Sequence, residues 1–88
     1  MTYEVLLSST AARQLRKLTE RERDRIVKAL RNLGEDPLTA RPRADIRVLE
    51  GTAPKKHRLR VGPYRVIYAV TGTDVRVIEV FRRGRGYR

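Results

Sequence analysis

The stretch Lys56-His57-Arg58-Leu59-Arg60-Val61-Gly62-Pro63-Tyr64-Arg65-Val66-Ile67-Tyr68 alternates basic and apolar side chains around a Gly-Pro pair. A period of two marks a strand and the central pair marks a turn, so the segment is predicted to be a β-hairpin. Successive side chains leave a strand on opposite faces, which puts Lys56, Arg58 and Arg60 on one side and His57, Leu59 and Val61 on the other. A two-residue loop at Gly62-Pro63 would make Arg60 and Arg65 cross-strand neighbours. Like charges set directly opposite each other destabilise a sheet by up to about 1 kcal/mol. A chain that concentrates them needs a compensating partner, and an anion, phosphate first of all, supplies one.

The remaining segments supply a cover for such a hairpin. Tyr3 to Leu7 reads as a short apolar strand, and Ser8-Ser9-Thr10 offers N-caps for a helix in which Ala11, Leu15 and Leu18 form one face. Thr19-Glu20-Arg21-Glu22 fits a capping box, so a second helix starts there, with Ile26, Val27, Leu30 and Leu33 as its stripe and Gly34 as a left-handed closing residue. Glu35 to Asp45 carries Pro37 and Pro42 and is predicted to be a loop leading into a strand around Ile46 to Leu49. Further strands are expected over Lys56 to Val61, Tyr64 to Val70 and Asp74 to Phe81, the last two joined by Thr71-Gly72-Thr73. In the last strand Val75, Val77 and Phe81 alternate with Ile78 and Val80, so it is apolar on both faces and belongs inside the sheet. The expected fold class is α+β in one domain, residues 1–88: an N-terminal strand, a helical hairpin, then a mainly antiparallel sheet covered on one face.

With 21 Lys and Arg against 10 Asp and Glu, the formal charge is +11 on 88 residues, which favours a polyanionic partner through counterion release and long-range attraction. Nucleic acid leads that class. No apolar run approaches the length needed to span a bilayer, and neither a lipidation motif nor a signal peptide is found, so the chain is expected in the cytoplasm without a membrane partner. Cysteine is absent and there is one histidine, which excludes disulfides and thiolate metal sites and leaves little for an imidazole site; no metal and no small-molecule cofactor are expected.

The order strand, helical hairpin, loop and three strands, together with Leu49-Glu50-Gly51, the motif Arg58 to Tyr68 and the Arg/Tyr-rich end, resembles the RelE/ParE superfamily of small toxins from toxin-antitoxin pairs, and the likeness spans nearly the whole chain. The resemblance implies one of two targets on one scaffold: RelE-like members cleave messenger RNA in the ribosomal A site, and ParE-like members inhibit DNA gyrase. The RelE-like mRNA interferase branch is the expected one, a metal-independent endoribonuclease in which the ribose 2′-hydroxyl attacks the phosphate. Its partners would be a cognate antitoxin and the ribosome with its messenger. A non-catalytic RNA-binding module is the remaining alternative.

By that resemblance the catalytic candidates are Lys56, Arg58, Arg65, Arg85 and Tyr87. Lys56 would stabilise or remove the 2′-hydroxyl proton, the three arginines would bind non-bridging oxygens, and Tyr87 would stack on a base or join proton transfer. Only Gly86 separates Arg85 from Tyr87, fewer residues than RelE-like nucleases place between their terminal Arg and Tyr, so Arg82 or Arg83 is an alternative counterpart of that arginine. Arg60, Arg82, Arg83, Arg13, Arg16 and Lys17 are expected to contact nucleic acid, the last three from a helix face that is otherwise simply solvated. Tyr64 and Tyr68 should pack in the core, and His57 should be a buried packing residue rather than a general base.

Overall fold

Both helix starts form as the capping signals predict. In the computed structural model, which describes residues 2–84, Ser8 caps helix α1 (Ser9–Arg16): its Oγ accepts from the Ala11 N–H at 3.0 Å and donates to the Ile78 carbonyl at 2.7 Å, fastening the helix start to the sheet. Thr19 caps α2 (Glu20–Leu33) in a closed capping box, its Oγ1 accepting from the Glu22 N–H at 3.2 Å while Glu22 Oε1 accepts from the Thr19 N–H at 3.1 Å. Leu18 lies in the link between the helices, not within α1, and is still packed against the core.

Five strands follow the predicted order: β1 (Glu4–Leu7), β2 (Asp45–Leu49), β3 (Lys56–Val61), β4 (Tyr64–Thr71) and β5 (Asp74–Arg82). They form one sheet in the order β1-β5-β4-β3-β2, antiparallel except where β1 runs parallel to β5. The last strand is therefore internal, as its two apolar faces require. Thr71 belongs to β4, which leaves Gly72-Thr73 as a two-residue turn. The helices cover one face, where Ala11, Leu15, Ile26, Leu30 and Leu33 meet Leu59, Val61, Val66, Tyr68, Val75, Val77 and Val80. Among the described residues the opposite face carries no helix.

Two local expectations are corrected. Gly34 closes α2 in the right-handed helical region, φ −63° and ψ −18°, and not in the left-handed one. Glycine stands there for closeness: a Cβ would sit 3.3 Å from Val5 Cγ2 and 3.4 Å from the Tyr3 carbonyl oxygen, and the Tyr3 N–H donates to the Gly34 carbonyl at 2.8 Å. The second correction concerns β5, where a register shift falls between Ile67, paired with Glu79, and Tyr68, paired with Val77. Ile78 is the extra residue. It reverses the alternation, so Val80 joins Val75 and Val77 in the core, and Phe81 turns to the uncovered face.

Candidate nucleic-acid interface

The hairpin turn sets the geometry of the uncovered face. Gly62 has φ +57° at the first turn position, with Pro63 after it, and this brings Arg60 directly opposite Arg65. From there the register runs across the sheet as Asp45, Arg60, Arg65 and Phe81, and one step along as Arg47, Arg58, Ile67 and Glu79. Lys56, Arg58, Arg60 and Arg65 thus share the face without helices. The end of β5 closes in beside them, because the Arg83 N–H donates to the Pro63 carbonyl at 2.7 Å. From the helix side the Arg25 guanidinium lies against the turn, where its atoms are 2.7 Å from the position a Gly62 Cβ would take.

These cations act on one another. Arg65 is half-buried, and burial first, then the charges of Arg60, Arg58 and Arg83, pull its pKa below the ordinary arginine range, with Asp45 acting the other way. It stays protonated at neutral pH, since guanidinium basicity leaves a wide margin. Burial contributes most to that shift, and the neighbouring cations add repulsion in the same direction, which a bound anion would relieve. Arg65 Nη1 donates to the Tyr64 carbonyl at 3.3 Å, and the Tyr64 hydroxyl donates to Glu22 Oε2 at 2.7 Å. The guanidinium is therefore tied through Tyr64 to the capping box of α2. Arg58 Nη2 pairs with Asp45 Oδ1 at 3.0 Å, which leaves it partly neutralised, and its buried Nε has no hydrogen-bond partner among the described residues.

Among the sequence-predicted residues, Arg58, Arg60 and Arg65 come together, Lys56 shares their face at the start of β3, two positions before Arg58, and Arg83 lies within electrostatic reach of Arg65. Arg82 does not join them: it pairs with Tyr64 and so faces the helix side, where with Gln14, Lys17, Leu18, Glu22 and Tyr64 it lines a separate cleft of about 400 Å³. Arg13 and Arg16 are exposed on α1, also away from the cluster. Arg85 and Tyr87 lie outside the described residues. His57 is buried and stacks on Tyr68, ring centroids 5.1 Å apart, and burial lowers its pKa, so it packs as expected. Sequence reasoning did not find Asp45, Arg47 or Arg25. The alternation Asp45-Ile46-Arg47 carried a strand signal for the first two of these, whereas nothing local marks Arg25 as a turn contact. No group of three or more His, Asp or Glu side chains suited to a metal ion occurs among the described residues, and no described helix is long and apolar enough to cross a membrane.

A small helix-backed sheet with arginines clustered on its uncovered face is the class of protein that this fold defines. Comparison with known proteins narrows that class. The family described as ParE toxin of type II toxin-antitoxin system, parDE, matches residues 5–87. The chain is 33% identical to Toxin RelE of Mycobacterium tuberculosis, over 98% of this chain and 87% of that relative. Its fold is similar to that in the archaeal RelE-RelB complex from Pyrococcus horikoshii, with a TM-score of 0.81, 30% identity, and coverage of 98% of this chain and 100% of that one. It is also similar to that in the toxin-antitoxin complex RelBE2 from Mycobacterium tuberculosis, with a TM-score of 0.80, 28% identity, and coverage of 94% and 100%. The chain belongs to the RelE/ParE family and is a toxin of a type II toxin-antitoxin system.

Proposed function

We propose that this toxin is a ribosome-dependent endoribonuclease that cleaves messenger RNA in the A site and thereby inhibits translation. The observation that carries the reading is the clustering of Arg58, Arg60 and Arg65 on the uncovered sheet face, with Arg65 held by the Tyr64 carbonyl. In the proposed reaction the 2′-oxygen forms a bond to phosphorus, the bond from phosphorus to the 5′-oxygen breaks, and a 2′,3′-cyclic phosphate remains. The 2′-hydroxyl proton leaves to a base and the 5′-oxygen gains a proton, so no metal or external nucleophile is needed.

Within that scheme Arg65 and Arg58 bind the non-bridging oxygens, where permanent charge stabilises the transition state more than the substrate. Lys56, on the same strand and face as Arg58, handles the 2′-hydroxyl proton. Arg85 adds charge and Tyr87 stacks or transfers a proton, both from outside the described residues. Arg60 and Arg83 add phosphate contacts near the scissile group, and Arg13, Arg16 and Lys17 dock the toxin on ribosomal RNA from α1. A cognate antitoxin covers the basic face, a partner suggested by the RelE-RelB complexes to which the fold is similar.

A gyrase-inhibiting toxin is the second reading, favoured by the ParE description of the matching family. The two separate on induction in cells. Primer extension should find messages broken within reading frames, with translation arrested and chromosomal DNA intact. Broken DNA with intact transcripts would replace the nuclease reading by the gyrase one.

A further inference from the structure

Arg47 shares the uncovered face with the arginine cluster and has no part in the reaction scheme. It stands directly opposite Arg58 in the pairing of β2 with β3, which repeats on the edge strand the like-charge opposition of Arg60 and Arg65. Such opposition destabilises a sheet unless something relieves it. A carboxylate is near, since Asp45 lies two positions before Arg47 on the same strand and face, but it pairs with Arg58 Nη2 at 3.0 Å instead. Among the described residues the exposed Arg47 side chain makes no hydrogen bond or ion pair. Asp45 thus offsets the partly buried Arg58 and leaves the outermost cation unengaged.

Charge on this face is graded. Arg60, Arg65 and Arg83 gather towards the hairpin turn, whereas Glu4 and Asp74 stand opposite each other at the far end of the sheet, and Glu79 ends the row of Arg47 and Arg58 at β5. A polyanion laid along the strands from the turn meets those carboxylates. Laid across them on the diagonal, it passes from Arg83 beside the end of β5 to Arg65 on β4, Arg58 on β3 and Arg47 on β2, with a cation at each step. β2 ends the sheet order, so among the described residues no strand borders the outer end of that track. Neighbouring strands lie about 4.8 Å apart, which puts β2 roughly 10 Å from β4. A few nucleotides of a single strand, at about 3.4 Å or more each, cross that width.

We infer that Arg47 holds a backbone phosphate flanking the one at Arg65, so that single-stranded RNA crosses the sheet diagonally and leaves it over the β2 edge, a subsite that rests on the RNA reading of this face and deepens it. Arg47 binds and takes no part in the bond changes. Its contact is to the phosphate backbone, so it fixes the path of the strand and reads no base.

The test follows the anisotropy of labelled hexauridylate, titrated with the full chain at low salt and through a salt series. Arg47→Ala, checked by thermal denaturation, should bind about threefold to fivefold more weakly than the unaltered protein. Its salt slope should fall by ~0.7, the loss of one single-strand phosphate contact. Arg47→Lys should restore that slope, because a phosphate contact at an exposed edge needs a cation and not a planar fork. The control is Arg31→Ala, which removes the same charge from the exposed last turn of α2 on the helix side and should leave the slope as it was. If Arg47→Ala matches Arg31→Ala in both affinity and slope, the subsite is overturned while the RNA reading stands. If the unaltered protein fails to bind hexauridylate at low salt, the RNA reading falls and the subsite with it.

Discussion

Arg65 carries more of the account than any other described side chain, because charge, position and partial burial converge on it. Arg65→Ala should lower single-turnover cleavage roughly a hundredfold to a thousandfold, the scale of losing one fixed donor to a transition-state oxyanion. Arg65→Lys should restore only part of that rate, since a lysine keeps the charge and loses the planar fork. The residues behind Arg65 also predict how the fold responds to acid. The Tyr64 hydroxyl first, then the Thr19 backbone and hydroxyl, hold the Glu22 carboxyl below its usual pKa of 4.5. The unfolded chain therefore binds that proton at a higher pH than the folded one, so the stabilisation is complete above about 4.5 and is lost as pH falls through the depressed folded value. Urea denaturation across this range should show a shallower loss for Tyr64→Phe. His57 works in the same direction at higher pH: burial first, then the charge of Lys55, lower its pKa, so the unfolded chain takes up this proton before the folded one as pH falls below the usual 6.5, and stability declines from there downward. His57→Phe keeps an aromatic stack on Tyr68 and should flatten that part of the profile.

Among the elements, the capping box and the hairpin turn are the local devices that hold the site in place. Thr19→Ala should cost about 1 kcal/mol of stability, the ordinary worth of an N-cap. Gly62→Ala should cost about as much, because φ is +57° there, while the Arg25 guanidinium need only swing aside from the new methyl, measured as a lowered urea midpoint. Much of this architecture was legible in the sequence. The period of two over residues 56–68 gave both hairpin strands and the Arg60 to Arg65 pairing, and Thr19-Glu20-Arg21-Glu22 marked the start of α2. What escaped depends on contacts distant in sequence. Gly34 looks like any closing glycine until β1 is seen lying against it, and the Ile78 bulge leaves no trace in a run that is apolar on both faces. That missed bulge decides which of Phe81, Arg82 and Arg83 accompany Arg65. The neutralising role of Asp45 likewise needs the pairing of β2 with β3, 13 residues apart at Arg58.

For the molecule as a whole, a net charge of +11 should attract any polyanion, so affinity alone does not distinguish a nuclease from a basic binding module. Salt does part of that work. The Arg13→Ala/Arg16→Ala double variant should weaken ribosome docking, with a reduced salt slope because fewer counterions are released, and should leave the cleavage rate at saturating toxin unchanged. Arg65→Ala should do the opposite, losing rate at saturation while docking nearly normally. The decisive experiment is single-turnover cleavage on programmed ribosomes with saturating toxin, comparing an all-ribose message with one carrying a 2′-deoxynucleotide at the scissile position. The account predicts cleavage of the first to a 2′,3′-cyclic phosphate end, none of the second, and near-complete loss with Arg65→Ala despite normal ribosome binding. Equal cleavage of both messages, or full restoration of the Arg65→Ala rate at saturation, would contradict it.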